Sequence, residues 1–128
     1  MQAVTWPQVL AVAGGAAAGG VARWFAGLGF NALWQGFPLG TLIVNCVGGL
    51  LIGVSLAWFE VSPSEILRLA LVTGFLGGFT TFSAFSAESL LLLQRGDWLL
   101  AAAHTLSHVL GALLCAGLGL VLGRIAWP

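Results

Sequence analysis

The sequence predicts an all-α integral membrane protein of four transmembrane helices, which together form a single domain over residues 1–128. Of its residues, 59% are hydrophobic and only 6% are charged, and its mean hydropathy is +1.05, whereas a soluble domain carries about 25% charged residues. Four apolar segments reach the roughly 20 residues that a hydrocarbon core requires. These segments cover about 8–30, 39–59, 64–94 and 98–125.

The net charge of the chain argues against one class of function, nucleic-acid binding, and two short stretches flank the first span. Four basic and four acidic residues give a formal net charge of zero, so we expect no basic face for nucleic acid. The stretch ahead of the first span, MQAVTWPQ, has no Lys or Arg, which argues against a cleaved signal peptide. NALWQGFP (31–38) then separates the first span from the second.

The third span begins at a helix-capping sequence. EVSPSE (60–65) offers Ser62 as N-cap, Pro63 at the first helical position and Glu65 as the acid of a capping box. These signals predict that the third helix starts near Pro63. At its other end, RGD (95–97) supplies a glycine for the helix C-terminus and an aspartate to cap the fourth helix.

The third span is too long for one straight helix across a bilayer. From its capping sequence to RGD, a helix would extend roughly 50 Å, against a hydrocarbon core of about 30 Å. Because Gly74, Gly77 and Gly78 lie in its middle, we expect the helix to break there. Free carbonyls cannot face lipid, so residues 77–81 are expected inside the protein.

Every span contains two glycines four positions apart, a spacing that lets helix backbones approach closely. The pattern is common in apolar glycine-rich chains, so it predicts tight packing without naming a partner helix. The pairs are Gly15 and Gly19, Gly49 and Gly53, Gly74 and Gly78, and Gly119 and Gly123.

The arginines indicate no preferred orientation in the membrane. Cytoplasmic loops normally carry an excess of Lys and Arg, but Arg68 and Arg124 lie near one side here, whereas Arg23 and Arg95 lie nearer the other. Either the topology signal is weak and other factors override it, or the chain inserts both ways and pairs as an antiparallel dimer. Four short helices enclose little of a pathway alone, which favours an oligomer.

Several ionisable side chains fall inside the spans, where each costs about 3 kcal/mol on insertion scales. Arg23 either extends to the membrane interface or forms an anion-attracting vestibule. Glu88 is either a buried hydrogen-bond anchor or a group that reaches the interface. His104 and His108 share a helix face, but HTLSH lacks the glutamate of a zinc motif, so we interpret them as pore-lining or packing groups.

Polar and aromatic side chains of the second and third spans are compatible with a pathway for a small anion. Asn45 lies midway through its span, with Thr41 one turn earlier on the same face, and an amide at that depth needs a partner helix or a water-filled path. Phe82 and Phe85 have the spacing of an ordinary core or lipid contact. However, aromatic ring edges are positive and the interleaved hydroxyls can donate, so this pair could also hold an anion.

These residues together resemble a known family. GFLGGFTTFSAFSAE (74–88), Arg23 late in the first helix and GTLIVNCVGGLLIG (40–53) in the second are similar to the bacterial fluoride channels of the CrcB/Fluc family. The resemblance extends over essentially the whole chain and includes the four-span layout. It implies a passive fluoride-selective channel in the bacterial inner membrane, formed by an antiparallel dual-topology homodimer with two pores.

The resemblance also implies roles for individual residues. A central sodium ion, which is structural and not transported, would be held by the backbone carbonyls of Gly77 and Thr80 from both subunits. The family often has tyrosine or serine on the fourth helix, where this chain has two histidines. The implied fluoride pathway comprises Phe82, Phe85, Asn45, Ser83, Ser86, Arg23, Thr41 and His108.

Two other classes of protein stay open. A small four-helix multidrug exporter would require an acidic residue in the first helix, and VLAVAGGAAAGGVA (9–22) contains none. A membrane subunit without transport activity would also be compatible with tight glycine packing. We do not expect an enzyme, because no nucleophile, base and orienting group recur at a recognisable spacing.

Overall fold

The computed structural model describes residues 3–128, and this part of the chain is helical apart from its short connections. Met1 and Gln2, which begin the MQAVTWPQ stretch, lie outside the described residues. The third helix, residues 65–79, starts as an α-helix, continues as a π-helix over Leu69–Leu76 and ends with the turn Gly77–Phe79. The five longer helices of the described residues are α1 (Trp6–Phe30), α2 (Leu39–Val61), α3 (65–79), α4 (Phe82–Gln94) and α5 (Trp98–Ala126), and a short 3-10 helix, Asn31–Leu33, follows α1.

Four helical segments are long and apolar enough to cross a membrane, which confirms the predicted number of spans. α3 and α4 together form the third of these segments. The segments are Trp6–Leu33, Leu39–Val61, Glu65–Gln94 and Trp98–Ala126.

The start of α3 differs from the prediction. Ser64, and not Ser62, is the N-cap, and its hydroxyl accepts from the Leu67 N–H at 3.4 Å. The helix therefore begins at Glu65, slightly later than predicted. Ser62 instead ends α2, where its N–H donates to the Trp58 carbonyl at 2.9 Å. The prediction was wrong because a residue that closes one helix was assigned to open the next.

The glycine of RGD has the predicted place at a helix C-terminus. Gly96 has a φ of 81°, a value that glycine adopts without the steric cost of a Cβ. The Gly96 N–H donates to the Leu93 carbonyl and the Asp97 N–H to the Leu92 carbonyl, each at 3.0 Å, which completes a Schellman motif. Asp97 stands at the N-cap of α5, although its side chain makes no capping bond. This short turn joins α4 and α5 as an antiparallel hairpin.

The paired glycines bring the helices together in two close pairs. A Cβ at Gly15 or Gly19 of α1 would overlap the backbone of α3. In the same way, a Cβ at Gly53 of α2 would overlap the backbone of α5, and one at Gly119 of α5 would overlap the backbone of α2. The predicted tight packing is therefore confirmed, and the structure identifies the partners as α1 with α3 and α2 with α5.

Replacing Gly119 with alanine is expected to lower the free energy of unfolding by about 1–3 kcal/mol, the usual cost of overfilling a close-packed contact. The added methyl group would overlap the carbonyl oxygen of Leu50. Gly117 on the same helix has no atom within 4 Å of a Cβ position, so Gly117→Ala is the matched control and should be neutral or slightly stabilising. Thermal unfolding in detergent measures both variants, and equal melting temperatures would contradict the packing.

The glycines in the middle of the third span are themselves helical. Gly74 and Gly78 approach the backbone of α1 closely, so their small size serves contact between helices. The non-helical backbone follows them, at Thr80 (φ −83°, ψ 158°) and Thr81 (φ −150°, ψ 121°). Thr81 is buried, whereas Gly77 is exposed on the surface of the single chain.

Candidate functional site

The junction between α3 and α4 is bound by one side chain from α2. The Thr81 N–H donates to Asn45 Oδ1 at 2.8 Å, and Asn45 Nδ2 donates to the Thr81 carbonyl at 2.9 Å. A single amide therefore pairs with both backbone groups of one extended residue. At membrane depth such groups need a partner within the protein, and Asn45 supplies it.

At the same junction, two backbone N–H groups bond to partners other than the carbonyls they would reach in a continuous helix. In an α-helix the Thr81 N–H would bond to the Gly77 carbonyl, but it bonds to Asn45. The Ala84 N–H would likewise bond to the Thr80 carbonyl, but it donates to Thr81 Oγ1 at 3.0 Å, because Thr81 is the N-cap of α4. The two carbonyls that lose these donors are those predicted to bind sodium.

Arg23 of α1 binds the end of α3. Its Nε donates to the Gly78 carbonyl at 3.1 Å in a partly buried contact. The last carbonyls of a helix carry negative partial charge, so the guanidinium is well placed to complement them. Arg23 thereby brings a positive charge close to the junction.

A groove of about 480 Å³ opens at the junction. In it, the rings of Phe82 and Phe85 meet edge to face, with centroids 5.3 Å apart and an interplanar angle of 64°. Phe85 is buried, whereas Phe82 is 77% exposed in the single chain. The groove brings together six of the predicted site residues, which are Asn45, Gly77, Thr80, Phe82, Phe85 and His108.

The two predicted serines lie beside the groove on the exposed side of α4. Ser83 Oγ is 3.3 Å from Thr81 Oγ1, so the hydroxyl of Ser83 lies next to an extended residue of the junction. Ser86 Oγ donates to the Phe82 carbonyl at 2.8 Å. Both serines are exposed in the single chain.

Glu88 is a hydrogen-bond anchor between three helices, which was one of the two interpretations of its sequence position. One carboxylate oxygen accepts from the hydroxyl of Thr41 on α2, and the other lies 3.2 Å from Nε2 of His104 on α5. Nδ1 of His104 lies 2.9 Å from the hydroxyl of Ser89, and no part of His104 is exposed. His104 and Thr41 therefore act together in packing α2 and α5 against α4.

Ser89 and the pairing of Glu88 with His104 are features that the sequence reasoning missed. A signal for them was present in the RGD turn. In a tight antiparallel hairpin, residues equally distant from the turn face each other, and Glu88 and His104 lie at equal distances on either side of Gly96. The register of the hairpin therefore predicts their contact.

His108 lies between Asn45 and the ring of Phe85. Its Nδ1 is 3.0 Å from Asn45 Nδ2, and its ring centroid is 4.6 Å from that of Phe85. Only 4% of the residue is exposed. Within the described residues 3–128, its Nε2 is a buried nitrogen without a hydrogen-bond partner.

Four apolar spans and a groove at non-helical backbone define a small multi-pass membrane protein of the channel or transporter class, in which irregular backbone at membrane depth lines a cavity or lies within protein. A family model described as "CrcB-like protein, Camphor Resistance (CrcB)" matches residues 10–120. The chain belongs to this CrcB-like family.

Similar proteins in other bacteria carry a more specific name. The "Fluoride-specific ion channel FluC" of Aromatoleum aromaticum is 52% identical to this chain, over 91% of the chain and 91% of the relative. The protein of the same name from Tolumonas auensis is 49% identical over 88% and 90%. A third, from Pseudomonas aeruginosa, is 49% identical over 90% and 92%.

Proposed function

We propose that this chain forms a passive fluoride-selective channel through which cytoplasmic fluoride leaves a bacterial cell across the inner membrane. Relatives whose sequences are about 50% identical to this chain are named as fluoride-specific ion channels. The observation that carries the proposal is the groove, which is lined by the paired rings of Phe82 and Phe85 and by Asn45. Among the described residues that line it there is no acidic side chain, which suits an anion.

Selectivity in this proposal comes from replacing the water that fluoride holds tightly. The ring edges of Phe82 and Phe85 offer partial positive charge to a small anion, and the hydroxyl of Ser83 offers a donor. The hydroxyl of Ser86 would serve once it turns away from the Phe82 carbonyl to which it donates. Asn45 contributes by binding the backbone of Thr81 at the groove. A larger chloride ion would fit a narrow path poorly and recover less of its hydration energy. Arg23 and Thr41 support the path from outside the groove, through the Gly78 carbonyl and Glu88.

No energy source beyond the membrane potential is required. Hydrofluoric acid crosses membranes as a neutral molecule and ionises at cytoplasmic pH, which traps fluoride inside. An inside-negative potential then drives the anion out, because one charge moved through 100 mV is worth about 2.3 kcal/mol. A passive pore therefore suffices to reduce fluoride toxicity.

The working unit in this proposal is an antiparallel homodimer with two pores. Phe82 is 77% exposed in a single chain, and Gly77, Ser83 and Ser86 are exposed as well. A face that carries a backbone junction and hydroxyls cannot lie against lipid, so a second copy is the occupant that we propose. The balanced arginines favour insertion in both orientations, which an antiparallel pair requires.

Pro128→Cys introduces a single cysteine near the end of the last span. If the protein has dual topology, this cysteine is expected to react with a membrane-impermeant maleimide in about equal amounts from the two sides of the membrane. The two native cysteines, Cys46 and Cys115, would be replaced by serine beforehand. Labelling in sealed inner-membrane vesicles of both orientations measures the two fractions. Labelling from one side alone would contradict the antiparallel dimer.

We also propose that the dimer binds a structural sodium ion. The donors that a continuous helix would direct at the Gly77 and Thr80 carbonyls bond elsewhere, and carbonyl oxygens are suitable ligands for a hard monovalent cation. These two carbonyls, contributed by each subunit, would hold the ion. When bound, it would supply positive charge that joins the two junctions, and it would not be transported.

Fluoride efflux from liposomes tests the proposed function. Vesicles that contain the purified protein and potassium fluoride are expected to release fluoride once valinomycin makes them permeable to potassium, whereas vesicles loaded with potassium chloride should retain their anion. Efflux that required a proton gradient would favour a small four-helix exporter. Absence of efflux would favour a membrane subunit without transport, and equal fluoride and chloride efflux would contradict selectivity.

A further inference from the structure

We propose that Cys46 and Cys115 together form a binding site for a soft divalent metal ion, which would join α2 to α5 within the membrane. Both cysteines are free and partly buried. Neither of them lines the groove, although Asn45, which precedes Cys46 in the chain, does. The site is therefore separate from the proposed fluoride path, and this inference does not rest on the proposed function.

The packing of α2 against α5 brings the two thiols together. Residues four apart on a helix share a face, and one such row of α5 contacts α2. In this row a Cβ at Gly111 would meet Cys46 Sγ, and one at Gly119 would meet the backbone of Leu50. Cys115 lies midway between Gly111 and Gly119, so it faces the space between Cys46 and Leu50. The two thiols are accordingly close enough to interact.

Gly111 leaves the sulfur of Cys46 uncrowded on the side that faces α5. A Cβ at this position would lie 3.1 Å from Cys46 Sγ, which is shorter than the distance at which two carbon-sized atoms attract each other best. Any larger residue would therefore press on the sulfur. With glycine there, the sulfur is free to turn toward an ion held between the two thiols.

The type and number of ligands select the ion. Thiolates prefer soft metal ions, and the pair supplies two of them. Its neighbours in the contact are two glycines and Leu50, whose side chains supply no ligand, so zinc, which takes four ligands in structural sites, is not suited. A soft ion that binds two thiolates in a line needs nothing more. Two thiolates also balance the charge of a divalent ion, and an unbalanced charge in an apolar environment is costly.

Mercuric ion has these properties, and mercuric chloride is the probe that we choose. It is a neutral molecule that reaches the site through lipid. Both thiols lose their protons when they bind, two mercury–sulfur bonds replace two mercury–chlorine bonds, and two molecules of hydrogen chloride leave. No atom changes its oxidation state. A disulfide between the same sulfurs would instead require a two-electron oxidant.

Mercury retention by the purified protein in detergent tests the site. A second thiol on the same protein acts at an effective concentration on the order of 1 mM, so during a wash with glutathione at about 0.1 mM we expect the wild type to keep about ten times more mercury than Cys46→Ser or Cys115→Ser. The wild type should keep a single ion per chain, as elemental mass spectrometry measures. The double serine variant gives the background, and size-exclusion chromatography confirms that each variant is folded.

X-ray absorption at the mercury edge identifies the ligands in the wild-type protein alone, so it tests the site even if a serine variant does not fold. We expect two sulfur neighbours and no nitrogen or oxygen. Nitrogen or oxygen would assign the ion to Glu88, His104 and His108, whose ligand atoms lie within 4.8 Å of one another, and would overturn the inference. A single sulfur neighbour, two mercury ions per chain, or serine variants that keep as much mercury as the wild type would do the same.

Discussion

Fluoride efflux is expected to fall by about a hundredfold when Phe82 is replaced by isoleucine. The substitution keeps an apolar side chain but removes the positive ring edge that would face the anion. In water-excluded sites, loss of one preorganised group that stabilises negative charge costs on the order of a hundredfold in rate. Because Phe82 is 77% exposed in the single chain, the change removes little packing within the protomer. A loss of efflux in a variant that still forms the dimer, as size-exclusion chromatography in detergent would show, would therefore reflect the pathway and not unfolding.

Phe75→Ile is the matched control for this prediction. Phe75 belongs to the same span, but its ring stacks on that of Phe79 at 5.6 Å, and neither ring lines the groove. We expect Phe75→Ile to keep fluoride efflux close to that of the wild type. Unchanged efflux in Phe82→Ile, and likewise in Phe85→Ile, would show that the rings do not form the fluoride path.

The second large effect is expected at Asn45. Asn45→Leu preserves the size of the side chain but leaves the Thr81 N–H and carbonyl without their partner. Each unsatisfied buried group costs about 1–3 kcal/mol, so the free energy of unfolding should fall by about 2–6 kcal/mol and fluoride efflux should be lost. Denaturation in detergent and liposome efflux measure the two effects.

Asn31→Leu serves as the control for Asn45→Leu. Asn31 also binds backbone, through the Gly40 N–H at 2.8 Å, but it lies in the connection between α1 and α2, away from the groove. Its loss should cost one hydrogen bond and leave efflux intact. If Asn45→Leu were as stable as Asn31→Leu and still conducted fluoride, the junction would not depend on the amide.

Much of the fold follows from the sequence, because its main determinants are local. Span length and apolarity set the four helices, and the φ of Gly96 sets the turn between α4 and α5. Glycine spacing correctly indicated close packing. It could not identify the pairs α1 with α3 and α2 with α5, since those depend on tertiary arrangement.

The junction in the third span depends on a residue far away in the chain. The glycines were the local signal for a break, yet they remain helical and pack against α1. The extended residues are Thr80 and Thr81, whose backbone is stabilised by Asn45 of another helix. No pattern within 74–88 contains that partner. Likewise, Ser64 and not Ser62 caps α3, because Ser62 lies at the C-terminal end of α2.

The candidate site was predictable in its residue types and less so in its contacts. The polar and aromatic residues of the groove stood out because they are unusual within apolar spans. Their connections required the hairpin register, which pairs Glu88 with His104, and the amide of Asn45, which contacts His108 from another helix. The sequence located Glu88 within the third span, and the structure shows that its hydrogen bonds anchor α2 and α5 to α4.

The reversal potential of the purified protein in a planar bilayer tests the central claim most directly. With a tenfold gradient of fluoride and equal chloride on both sides, a passive fluoride-selective channel predicts a current that reverses near 59 mV, the potential of a tenfold gradient for a single charge. The current should not depend on a proton gradient. A reversal potential near zero, or the absence of fluoride current through protein that is folded and dimeric, would contradict the account.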